Sequence, residues 1–114
     1  MSETAVTLFF GDRERVFDLA PDAHGATYVL ELERVTAKGV GTIASRMFSP
    51  RPEFHLADLH ETIRLALIGG GADPEEAAAL VKTYAVPQPV SRSFDLALQI
   101  LSVLWFGQPV SEAA

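Results

Sequence analysis

The chain has 114 residues, enough for one domain and too few for a comfortable second. Apolar residues make up 48% and charged residues 21%, the balance of an ordinary globular domain that buries roughly two-thirds of its unfolded surface without a staple. The absence of cysteine excludes a disulfide framework, a thiolate metal site and a cysteine nucleophile, and 15 acidic against 9 basic residues (net charge −6) argue against nucleic acid or an anionic membrane as partner.

The opening Met1-Ser2-Glu3-Thr4 has no basic stretch leading into an apolar run, so no secretory signal is expected and the cytoplasm is the expected location. Val6–Phe10 and Val16–Leu19 are short runs of β-branched and aromatic residues, with the polar Gly11–Arg15 between them. They predict a β-hairpin over about 5–20, with Phe17 and Leu19 on one face and Asp18 on the other. Two strands alone are marginal in water, so this hairpin must lean on the helices or on another chain's strand.

Pro21–Gly25 is a break. Over 26–36, Tyr28, Leu32 and Val35 fit a helix while Tyr28, Leu30 and Leu32 fit a strand; Glu31, Glu33 and Arg34 suit a solvated helical face, so helix is favoured. Gly39 and Gly41 are expected to end it. Ile43–Phe48 follows as a short segment, stopped by Ser49-Pro50-Arg51-Pro52. Leu56, Leu59, Ile63 and Leu67 then form a helical stripe, with Asp58, Glu61 and Arg64 expected to face outward and Gly69-Gly70-Gly71 to end the helix. Asp73 at the N-cap, Pro74 at N1 and Glu76 at N3 open the next helix, anchored by Leu80, Val81 and Tyr84 and closed by Val86-Pro87-Gln88-Pro89.

The last helix, about Ser91–Phe106, is apolar nearly all round. Phe94, Leu98, Leu101 and Trp105 make one stripe, and Leu96, Ile100, Val103 and Phe106 another. It is too short and, with Asp95, too polar to span a bilayer. It reads either as a central helix wrapped by the others or as a helix whose end, Trp105 and Phe106, docks a partner or second subunit.

No chemistry-bearing motif survives inspection. Gly69–Gly71 lacks the Lys and Ser/Thr of a phosphate loop, and Asp73, Glu75 and Glu76 already occupy the positive helix end behind it. It reads instead as a corner that needs positive φ. Gly39-Val40-Gly41-Thr42-Ile43-Ala44 matches a loose dinucleotide pattern without the strand such a motif follows. His55 and His60, near Asp58 and Glu61, lie about 140° apart on a helix and cannot easily share a metal. The expectation is a protein with no catalytic residues, no cofactor and no metal. The fold class expected is α+β, mostly α: one domain over 1–114, with the N-terminal β-hairpin packed on a bundle of about four helices covering about 26–107.

The stretch from Ile63 to Gly107 carries a resemblance. It runs Ile63–Gly71 ("IRLALIGGG"), Glu76-Ala77, Leu80–Tyr84, Pro89-Val90, Leu96-Ala97, Ile100-Leu101 and Phe106-Gly107. Upstream, Phe10-Gly11-Asp12 forms the hairpin turn, and Leu32-Glu33 precedes the Gly39–Ile43 break. In this order the chain resembles the gene transfer agent tail protein family, small tail-assembly chaperone-like, tail tube-associated proteins of phage-type tails. Val90-Ser91-Arg92 and the large aromatics of Leu104-Trp105-Phe106 depart from the family pattern. The resemblance implies a non-enzymatic chaperone or adaptor that binds the tape-measure and tail-tube proteins, with homo-oligomers allowed. The alternative it implies is a structural tube component, retained in the particle, whose hairpin adds a strand to a neighbouring subunit. The docking residues expected on this reading are Phe9, Phe10, Leu104, Trp105 and Phe106.

Overall fold

The computed structural model of the chain describes residues 2–108. In order come β1 (Ala5–Phe10), β2 (Arg13–Asp18), α1 (Thr27–Thr36), α2 (Val40–Met47), α3 (Leu56–Gly69), α4 (Pro74–Leu80), a single π-helical turn (Val81–Ala85) and α5 (Val90–Phe106). The architecture is the expected α+β, mostly helical one. Residues 27–36 are helix, and the short segment around Ile43 is a helix in its own right that begins at Val40.

The hairpin turn is tighter than its polar composition implies. Phe10 pairs directly with Arg13, so Gly11 and Asp12 are the whole loop and Arg13–Arg15 belong to β2. Gly11 has φ +73 while Asp12 stays in the negative region, the signature of a type II′ turn whose twist matches the strands. Phe17 and Leu19 are buried as expected, and Asp18 is buried too, correcting its expected place on the open face. Its carboxylate accepts hydrogen bonds from the Thr4 hydroxyl and the Ala20 N–H, so the chain on either side of the hairpin folds over it.

The helix breaks also differ from expectation. α1 ends at Thr36, with Ala37 in the left-handed region at φ 57. Gly39 is the N-cap of α2, and Gly41 lies inside that helix. The Glu33 carboxylate accepts from the Val40 N–H at 2.8 Å, so a residue expected to be merely solvated holds the start of α2. At α4 the local signals act as read: the Asp73 carboxylate accepts from the Glu75 N–H and Pro74 begins the helix.

The central helix is α3, not α5. Leu59, Thr62, Ile63, Leu65, Ala66 and Leu67 are all buried, and α3 packs against β2, α1, α4 and α5. α5 buries Leu96, Ala97, Ile100 and Leu101 on one side and leaves its last turn open. Asp58, expected to look outward, is also buried. It accepts from the His55 N–H at 2.9 Å, capping α3, and pairs with Lys38 at 2.8 Å. That pair ties the α1–α2 connection to the start of the central helix, which is why a carboxylate is tolerated there.

The glycine corner serves a purpose beyond turning. Only Gly71 has positive φ, +116. A Cβ on Gly69 would lie 1.7 Å from the carbonyl oxygen of Asp18, and one on Gly70 would lie 2.0 Å from that of Val16. The C-terminal turn of α3 therefore closes directly onto the outer edge of β2, an approach only glycine permits.

Candidate partner-binding surface

The five expected docking residues do not form one patch. Phe10 is corrected to the core: it is 3% exposed and packs edge-on against Phe17 and Tyr84. The type II′ turn puts it on the inner face, over the π-helical turn that carries Tyr84, leaving Phe9 on the outer face at 68% exposure. Leu104 is half-buried against the core. Trp105 and Phe106 stand out from the end of α5, at 56% and 76% exposure.

Phe9 and the α5 end are apart. Phe9 lines a cleft of about 750 Å³ with Tyr84, Arg92, Asp95 and Gln99, beside the first half of α5. Trp105 and Phe106 lie two to three turns further along that helix, roughly 10–20 Å away at 1.5 Å per residue. What the structure sets beside Phe106 instead is Phe48, the residue after α2, with ring centroids 6.5 Å apart. Sequence reasoning missed Phe48 because it stands off the Ile43–Met47 stripe. Its one signal is an aromatic residue left over after a completed apolar repeat. Phe48, Trp105 and Phe106 thus give the molecule an aromatic end, formed where α2 and α5 finish.

A second apolar groove lies between α1 and α3, lined by Tyr28, Leu30, Leu65, Ile68 and Pro74, with Leu30 63% exposed. Its rim is charged but self-paired: Arg34 binds Glu31, and Arg64 binds Glu61 at 2.6 Å. The hydrogen bond from Arg34 holds the Glu31 carboxyl below the usual carboxylate range, and the hydrogen bond from Arg15 does the same to Asp12. Among the described residues no three His, Asp or Glu side chains converge on a metal-sized point, and no helix is long and apolar enough to cross a membrane. His55 Nδ1 sits 3.3 Å from the Lys38 ammonium, in the cluster that holds α3 to the α1–α2 connection.

A β-hairpin laid on five helices, with Phe48, Trp105 and Phe106 exposed at one end, defines a small α+β domain. Residues 3–107 match the family described as "Phage tail tube protein, GTA-gp10", and the chain belongs to that family. It is a component of a phage-type tail of the gene transfer agent kind, in agreement with the resemblance carried by the glycine corner and the final helix. No curated protein and no solved structure matches the chain.

Proposed function

We propose that the chain serves the tail without catalysis, by contact with other tail proteins through its aromatic end. The observation that carries this reading is the exposure of Trp105 and of Phe106, the latter beside Phe48, in an acidic molecule. Aromatic residues clustered on an otherwise polar surface are the usual anchors of a protein interface. Of the two tail roles, the family's description favours a tube-associated component that stays in the particle.

One structural feature supports the other role, an adaptor that covers the tape measure in the cytoplasm and is later displaced. The outer edge of β2 is closed by Gly69 and Gly70, so sheet pairing cannot run from subunit to subunit around a closed wall. Mass spectrometry of finished particles, beside co-purification of the tagged chain with neighbouring tail proteins, separates the roles. Presence in particles supports the tube component. Absence from particles with recovery of the tape measure supports the adaptor. The double change Trp105→Ser and Phe106→Ser is expected to weaken partner recovery at least tenfold, about 1.4 kcal/mol, with the fold unchanged. Undiminished recovery would remove the aromatic end from the proposal.

A further inference from the structure

The two edges of the hairpin are treated differently by the fold. The outer edge of β2 is closed by α3, as described above. The outer edge of β1 is closed at its start, at Ala5, and not further along. Closure by a two-residue turn makes Phe10–Arg13 a hydrogen-bonded pair, and the alternation of an antiparallel ladder makes Leu8–Arg15 and Val6–Phe17 the next two. The backbone groups of Ala5, Thr7 and Phe9 therefore point away from β2. Those of Ala5 are satisfied within the chain: its N–H donates to the Ser2 carbonyl, and its carbonyl accepts from the Gln108 side-chain amide. Thr7 and Phe9 have no such partner among the described residues. Both side chains are exposed, and Phe9 lines the open cleft that separates the turn end of β1 from the first half of α5.

We propose that this edge pairs with the same edge of a second copy of the chain, antiparallel about a two-fold axis, to make a four-stranded sheet in the order β2-β1-β1-β2. Since β2 is closed, a sheet continues between copies only through β1, and such a pairing closes on itself as a dimer. With Ala5 already engaged, the register that uses every free group sets Thr7 opposite Phe9 of the second copy and Leu8 on the axis. Charge agrees with this register. Ala5–Phe10 carries no charged residue, so the strand meets its copy without like-charge repulsion despite the net charge of −6. The same register carries Glu3 of one copy to the Gly11–Arg13 turn of the other. Glu3 and Arg13 are both exposed, and Arg13 has no ion-pair partner among the described residues. That contact occurs twice. Phe9 lies within diagonal reach of Phe9 of the second copy, which accounts for a large aromatic on the outer face of a short strand. A six-residue edge buries less than the roughly 800 Å² per partner of a standard interface, so the pair is a micromolar one.

The test uses the purified chain alone and is independent of its tail partners. Analytical ultracentrifugation from about 1 to about 500 µM is expected to show a monomer–dimer equilibrium, and the amide protons of Thr7 and Phe9 to exchange at least tenfold more slowly at the top of that range. Thr7→Pro removes an outward N–H at an edge position where proline is tolerated, and is expected to be monomeric throughout. Phe9→Lys, which leaves the backbone intact, is expected to weaken the dimer at least tenfold. A wild-type chain that stays monomeric overturns the proposal. So does a dimer whose Thr7 and Phe9 amides exchange at the monomer rate, or one that Phe9→Lys leaves unchanged.

Discussion

At the scale of single residues, the three glycines of the corner are not equivalent, and substitution separates them. Gly70→Ala drives a methyl group into the Val16 carbonyl, 2.0 Å away, and backbone cannot rotate aside as a side chain can. Lifting β2 from α3 is expected to cost about 3 kcal/mol or more, the upper range for single changes. Gly71→Ala meets no atom within 4 Å and suffers only backbone strain at φ +116, expected at about 1–3 kcal/mol. Chemical denaturation of the two variants checks the order, and equal losses would refute the close-approach role of Gly70. Lys38→Met is the second residue-scale prediction. It leaves the Asp58 carboxylate buried without its cation and is expected to cost about 3 kcal/mol. The exposed pairs behave otherwise. Asp12 and Glu31 have lowered carboxyl pKa values, so what they contribute is present above the unfolded carboxylate value and lost as pH falls through the folded one. Asp12 is exposed, and the Arg34 partner of the half-buried Glu31 is open to solvent, so acid titration at high salt is expected to show little of it.

At the scale of elements, the α1–α2 connection shows how a sound local rule can be applied to the wrong residue. A helix C-terminus in the left-handed region favours glycine, and glycines stand at 39 and 41. The chain turns at Ala37 instead, because the Lys38–Asp58 pair and the Glu33–Val40 hydrogen bond set where α1 must stop and α2 begin. Two stabilising changes follow. Ala37→Gly relieves a left-handed alanine and is expected to add about 1 kcal/mol. Gly41→Ala sits inside α2 with open space around its Cβ and is expected to add about 0.5–1 kcal/mol. The denaturation midpoint should rise for each. A fall for Ala37→Gly would mean that the turn is not strained. The hairpin, the Asp73-Pro74 helix start and the span of α5 were legible because turn type, capping and apolar periodicity are written in neighbouring residues.

At the scale of the whole molecule, the question is which apolar surface is left after the core is filled. α3 and α5 are both rich in apolar residues, and their patterns do not say which one sits in the middle. The hairpin decides it by packing β2 onto α3, which encloses that helix and leaves the last turn of α5 outside. Trp105 is the single tryptophan, so its fluorescence reports that surface directly. In the free protein its emission is expected at the long wavelength of a hydrated indole, with a blue shift when a tail partner covers it. No shift on complex formation would place the partner elsewhere.

The sequence by itself determined the helix-rich class, the hairpin, the terminal helix and the tail family, since each rests on short-range order or on motifs in sequence. Only the tertiary structure decided that Phe10 and Asp58 are buried, that Phe48 joins Phe106, that Gly69 and Gly70 serve close approach, and that one strand edge is closed and the other open. Each of those outcomes depends on atoms brought together from distant parts of the chain, where excluded volume and the need to satisfy buried polar groups outweigh local preference.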